Sequence, residues 1–237
     1  MKNTGLKKEG HTPQLSLLYQ VSRVISSNRY LDDILLMVVQ LTAQLTGSKI
    51  CSMMLLNDQK DTLEIRATQC LSEEYRKKPP IKVGESASGR AVLSKQPVTI
   101  SDVTQDKQYK YPQIAKAEGI RSLAAVPMIA RDHVVGVLNC YTEEEHIFSE
   151  EELQILTSVA NQAAMAVENT QFLAEKIAAF EKLESRKTVD RAKRILMKRH
   201  QFTEDQAYRV LQTQSMDKRK SLKEIADAVI LSEEISL

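Results

Sequence analysis

Every residue that breaks a helix lies in the first 136 positions of this 237-residue chain. All seven glycines and all six prolines fall there, and from Val137 to Leu237 there is neither. Proline removes a helical hydrogen bond, and glycine in a helix interior costs about 1 kcal/mol relative to alanine, so their distribution divides the chain into two architectures. The first part is built with turns; the second can run as uninterrupted helix. A chain of this length holds one domain of ordinary size and a smaller second one.

In the first part, Leu17, Leu18, Val21, Val24 and Ile25 recur at helical spacing. So do Leu31, Ile34, Leu35, Val38, Leu41 and Leu45, in a helix that ends near Gly47. Runs rich in β-formers follow at 49–56, 63–68, 97–100, 122–129 and 134–141. The polar connections 57–61 and Arg131-Asp132 make neighbouring strands antiparallel. The pattern predicts an α+β fold, a central antiparallel sheet with helices on one side. Alternate strand positions Met53, Leu55, Arg66 and Cys140, with Tyr109 and Tyr111 from the connections, are candidates to line a ligand pocket; ordinary core packing is the competing reading.

Cys51, Cys70 and Cys140 form no CxxC and have no histidine at ligand spacing, which argues against a disulfide framework or a metal site. They read as reduced packing residues, with a cysteine-based redox sensor or enzyme as an alternative. No catalytic constellation stands out. No apolar stretch approaches the roughly 20 residues that cross a bilayer, and the opening MKNTGLKKEG lacks the apolar core of a signal peptide. A cytoplasmic protein without a membrane partner is expected.

The second part opens with a capping box, Ser149 with Glu152, and meets no breaker until about residue 200. A helix of that length spans about 75 Å and cannot be buried by one small domain. Ala166, Thr170, Leu173, Ile177 and Phe180 repeat at spacings of four and three, the seam of a coiled coil, which predicts a parallel homodimer. Two further capping boxes, Thr203 with Gln206 and Ser221 with Glu224, delimit helices at 183–200, 203–216 and 221–234. Their apolar faces carry Val189, Ala192, Ile195 and Leu196, then Ala207, Val210 and Leu211, then Leu222, Ile225, Ala226, Val229 and Ile230.

The net charge of +2 hides an asymmetry: from Arg186 to Lys223 there are twelve Lys and Arg against four Asp and Glu. Lys187, Arg191, Arg194 and Lys198 form one helical stripe, Arg186 and Lys193 lie beside it, and Lys218, Arg219 and Lys220 occupy the last connection. Such a patch suits phosphates. A helix-turn-helix DNA reader is the alternative, but the last helix is acidic or apolar from Glu224 onward, with Lys223 its only cation, whereas a recognition helix presents Arg, Lys, Asn or Gln to bases.

Two family resemblances attach to these residues. KICSMMLLNDQKDTLEIRAT, IKVGESASGRAVLSKQPVTISDV, GIRSLAAVPMIARDHVVGVLNCY and FSEEELQILTSVANQAAMAVEN together resemble a GAF domain. That resemblance implies a sensor domain over about 15–165, preceded by a flexible terminus at 1–14, with a pocket for an unidentified small molecule. It carries no signature of the bilin-binding or cyclic-nucleotide-binding members, and only Cys70 lies near a reductase-type loop position. LESRKTVDRAKRILMKRHQFTEDQAYRVLQTQSMDKRKSLKEIADAVI resembles the ANTAR domain, an RNA-binding module of bacterial antiterminators. It departs from that pattern at Arg194, where members commonly carry glycine after the Ala192-Lys193 pair. The resemblance implies a coiled-coil linker at 166–182, an RNA-binding domain at 183–237, and a transcription antitermination regulator that binds tandem leader-RNA hairpins under sensor control. Tyr208 is then the candidate for stacking on a loop base, and Lys193, Arg194, Lys198 and Arg219 are candidates for phosphate or base contact.

Overall fold

The computed structural model describes residues 13–27, 30–57, 59, 61–70 and 72–235. Most of the flexible terminus expected over 1–14 lies outside them; its last two residues begin the first helix. The chain divides at Thr170–Gln171 into two compact units.

The first unit begins with α1 (Pro13–Ile25) and α2 (Leu31–Thr46). Helix α2 buries Ile34, Leu35, Val38, Val39, Thr42 and Ala43, a stripe at helical spacing. The hydroxyl of Thr42 is satisfied inside that core by donating to the Val38 carbonyl at 2.7 Å. Gly47 ends the helix with φ 67°, a left-handed turn that glycine adopts without steric cost.

There follow β1 (Ile50–Asn57), β2 (Thr62–Thr68), α3 (Glu73–Arg76), β3 (Ile81–Lys82), α4 (Ser86–Ser94), β4 (Val98–Ile100), α5 (Pro112–Glu118), β5 (Ser122–Ala130) and β6 (His133–Thr142). The strands form one six-stranded sheet in the order β3-β2-β1-β6-β5-β4, antiparallel throughout. The sequence pattern missed two-residue β3 and short helices α3 to α5, which are too brief to show a period.

Those short helices matter, because the sheet is covered on both faces rather than on one. Cys51, Met53, Ala124, Val126, Met128, Leu138 and Cys140 pack with α1, α2 and the first turns of α6 (Glu150–His200). Ile50, Met54, Leu63, Leu123, Ala125, Val137 and Tyr141 face α3, α4, α5 and their connections. Val159, Ala160, Ala163, Ala164 and Val167 of α6 are buried against the first face; their small side chains let the helix approach the sheet closely.

Ser149 and Glu152 form the predicted capping box at the start of α6: the Ser149 amide donates to the Glu152 carboxylate at 2.7 Å and the Glu152 amide to the Ser149 hydroxyl at 3.2 Å. In the second unit, the C-terminal part of α6 is joined by α7 (Glu204–Lys218) and α8 (Leu222–Ile235). Both carry the predicted capping boxes, at Thr203/Gln206 and Ser221/Glu224. Val189, Ala192, Leu196, Ala207, Leu211, Ile225 and Ala226 make the small core. Val210, expected inside, is 37% exposed.

Candidate nucleic-acid interface and sensor interior

On α6 the stripe Lys187, Arg191, Arg194 and Lys198 lies opposite the buried Val189, Ala192 and Leu196, since 100° per residue puts the two sets on opposite sides of the helix. The structure sorts these cations by what already holds them. Lys187 pairs with Glu184 at 2.9 Å and Arg191 with Glu234 of α8 at 2.9 Å. The Arg194 guanidinium donates to the Asp190 carbonyl of its own helix. Among the described residues, Arg186, Lys198, Lys218, Arg219 and Lys220 enter no ion pair within 4 Å.

Lys193 is placed differently from its neighbours. Its ammonium lies 2.7 Å from both Asp190 and Glu204, its side chain is only 15% exposed, and the two carboxylates push its pKa up. It joins α6 to the first turn of α7, so its charge is committed within the fold and it is poorly presented to phosphates. Sequence periodicity set it beside the stripe; the tertiary partner Glu204 was not visible there.

Arg219 ends α7 in the left-handed region, φ 53° and ψ 38°. Its amide and that of Lys220 bond back to Met216 and Ser215, which holds the Lys218-Arg219-Lys220 triplet in a closed turn between two helices. Tyr208 of α7 is 42% exposed, beside the buried Ala207 and Leu211, which leaves its ring accessible for stacking.

Between the units' cores, α6 carries exposed apolar side chains at Phe172, Leu173, Ile177, Phe180 and Leu183. Of the predicted seam, Leu173, Ile177 and Phe180 are on this stretch, and Phe172 adds to it. Ala166 is not available: it is 6% exposed and packed in the core of the first unit, because the helix is still against the sheet there. The Thr170 hydroxyl is turned back onto the Ala166 carbonyl.

The six residues proposed to line a sensor pocket do not meet. Met53 and Cys140 are buried on the α1/α2/α6 face with Leu55 packed against them, and Arg66 pairs with Asp32 of α2 at 2.7 Å. Tyr109 and Tyr111 pack on the opposite face. On β1 the residues that share the short-helix face with Tyr109 and Tyr111 are Ser52 and Met54. There the Ser52 and Tyr75 hydroxyls are 2.8 Å apart, and Tyr75 meets Tyr141 edge-on at 5.9 Å. Lys78 sits over the Tyr75 ring at 4.2 Å, and burial lowers its pKa to about 8. Ser88 donates to Asn139 Oδ1 at 2.8 Å, and the buried Asn139 Nδ2 has no hydrogen-bond partner among the described residues. Cys51 and Cys140 are register partners with sulfurs 3.4 Å apart, and the Cys51 thiol and burial push the Cys140 pKa up. Burial and the Glu118 carboxylate raise that of Cys70.

This geometry agrees with the comparisons. A GAF domain model matches residues 28–168, more than half of the chain, and an ANTAR domain model matches residues 179–230. The chain belongs to the GAF-domain family and continues through a long helix into an ANTAR domain. The GAF domain of a phosphoenolpyruvate-protein phosphotransferase from Coxiella burnetii superposes with a TM-score of 0.63 at 22% identity, over 69% of this chain and 97% of that one. Free methionine-R-sulfoxide reductase from Neisseria meningitidis gives 0.59 at 18%, over 71% and 98%. At these identities the likeness is one of fold. Two curated relatives are similar over parts of their length: the methyl sulfide methyltransferase-associated sensor of Methanosarcina acetivorans, 26% identical over 152 residues, and the transcriptional regulatory protein PdtaR of Mycobacterium tuberculosis, 42% identical over 50 residues. The matches cover 62% and 21% of this chain but only 15% and 24% of those proteins. No helix among the described residues is long and apolar enough to cross a membrane.

Proposed function

We propose that the chain is a transcription antitermination regulator that is not an enzyme. Its ANTAR domain binds paired hairpins in a leader RNA, and its GAF domain senses a small molecule. The observation that carries the reading is the set of cations outside the ion pairs, Arg186, Lys198, Lys218, Arg219 and Lys220, joined by Arg194 and the exposed Tyr208 on one helical unit. Cations hold phosphates, and an exposed ring stacks on a loop base; that combination suits a hairpin loop better than a duplex groove. The similarity to a transcriptional regulatory protein supports it. Helix α8 disfavours DNA recognition: Ile225 and Ala226 are buried and Glu233 and Glu234 are spent on α6.

The exposed apolar run from Phe172 to Leu183 supports a parallel homodimer, in which two ANTAR domains engage two hairpins with the avidity of linked sites. On the sensor side, Lys78 and the unpartnered Asn139 amide are the polar groups a ligand with anionic or carbonyl acceptors would meet. The burial of all three cysteines and the raised pKa values of Cys70 and Cys140 favour sensing over thiol chemistry.

The test is binding of the full chain to a leader RNA with two adjacent hairpins, against the same sequence as duplex DNA, across a salt series. RNA-selective binding weakened by Lys198→Ala or Arg219→Ala supports the reading. Equal or tighter DNA binding refutes it.

A further inference from the structure

The acidic end of α8 lies across the cationic surface of α6. Glu234 pairs with Arg191 of the stripe at 2.9 Å, and Glu233 reaches Arg199 at 3.8 Å. Neither pair is buried: the side chains are 58% and 55% exposed in the first and 50% and 40% in the second. Exposed pairs of this kind add little to stability. The small core of Val189, Ala192, Leu196, Ala207, Leu211, Ile225 and Ala226 already holds α8 in place. What the glutamates do change is the charge met by an approaching polyanion, because two arginines that could take phosphates are occupied.

Resting on the RNA-binding reading above, we propose that Glu233 and Glu234 are selectivity determinants. They hold Arg199 and Arg191 away from phosphates, so that only an RNA that also engages the unpaired cations Lys198, Lys218, Arg219 and Lys220 displaces them. Discrimination then arises from a repulsive element as well as an attractive one. A phosphate chain of no particular shape meets four carboxylate oxygens where two guanidinium groups would otherwise attract it. A folded RNA anchored at Tyr208 and the Arg219 turn brings its backbone to the pairs at high effective concentration and exchanges one anion for another.

The experiment compares the full chain with Glu233→Gln/Glu234→Gln, using poly(U), a tandem-hairpin leader RNA, and heparin as a polyanion that is not RNA. Each released arginine adds about 0.7–0.9 to the slope of log affinity against log salt. Poly(U) affinity of the double variant should therefore rise several-fold at low salt. Between 50 and 200 mM salt it should fall about seven- to twelve-fold more than the parent's, the effect of two extra contacts on that slope. The hairpin RNA should gain less, so selectivity narrows. Adding Arg191→Gln/Arg199→Gln to the glutamine pair should cancel the gain, because the guanidinium groups that the glutamates release are its source. Unchanged poly(U) affinity and slope in the glutamine variant, with its helicity intact by circular dichroism, overturns the proposal. So does a gain that survives the removal of both arginines, since the released guanidinium groups would then not be its source. If the parent fails to bind hairpin RNA while the variant elutes from heparin at higher salt, the charge gate stands and the RNA reading is what fails.

Discussion

Arg219 is the position at which backbone and side chain make opposite demands. Its left-handed conformation, φ 53° and ψ 38°, brings Cβ close to the following carbonyl, at a cost of roughly 1–2 kcal/mol for an L-residue. Glycine removes that cost but loses about 0.4–1 kcal/mol through the greater freedom of the unfolded chain. Arg219→Gly should thus stabilise the α7–α8 turn by about 0.5–1 kcal/mol, which slows amide exchange there about two- to five-fold where exchange follows local opening. The same change removes a guanidinium, so the salt slope for leader RNA should fall by about 0.7–0.9. Hydrogen exchange by mass spectrometry on the full chain reads the first effect, and a salt titration of RNA binding reads the second. Arg219→Asn is the control: asparagine tolerates the left-handed region and lacks the charge, so it should share the RNA loss without the full stabilisation. Faster exchange in the glycine variant would refute the strain argument, and an unchanged salt slope would remove Arg219 from the interface.

Four further outcomes follow from named contacts. Lys193→Ala should leave the RNA salt slope as it is and speed exchange in the first turn of α7, by an amount equivalent to about 0.5–1 kcal/mol, since Lys193 bridges Asp190 and Glu204; a lower slope would make it a phosphate contact after all. Lys78 binds its proton less tightly folded than unfolded, with a pKa near 8 against an ordinary 10.5, so the unfolded chain holds more protons between those values and stability should rise from pH 8 toward 10. Burial raises the Tyr75 and Tyr141 hydroxyls, so stability should fall again above pH 10, and urea midpoints for Lys78→Met should lack the rise; a flat parent curve contradicts the assignment. Gly136→Ala should lower the urea midpoint by the equivalent of roughly 1–3 kcal/mol, because a Cβ there would stand 2.2 Å from the Met54 carbonyl oxygen in the β1–β6 pair. Ile177→Lys should convert the light-scattering mass at micromolar concentration from two 26.8-kDa chains to one, and a parent that is already a single chain refutes the seam.

The helices of the second unit were legible because their signals are local. Each capping box is a reciprocal bond between residues three apart, and all three at Ser149, Thr203 and Ser221 are present where the sequence put them. A stripe of cations at spacings of four and three likewise needs only the helical period. The sheet was harder. Ile50 to Met54 are all buried, since short helices cover one face and long helices the other, and a strand buried on both sides loses the alternation from which a face is read. Met53 and Cys140 were therefore as eligible as Ser52 and Met54 to stand on one face with Tyr109 and Tyr111.

Ala166 was placed in the seam for a related reason: the heptad period runs on through residues that α6 still buries against the sheet. A small residue satisfies a heptad as well as it satisfies close helix-to-sheet packing, so the period of α6 does not say where the sheet lets go of it; burial does, with Val167 inside and Phe172 exposed. Between them stands Glu168, 11% exposed, with the Arg131 guanidinium of the β5–β6 turn 3.2 Å from its Oε2 and His133 3.7 Å from its Oε1. The Arg131 charge offsets the burial of that carboxylate in the last stretch before the helix leaves the sheet. The exposed apolar stripe of α6 begins one turn further on, at Phe172.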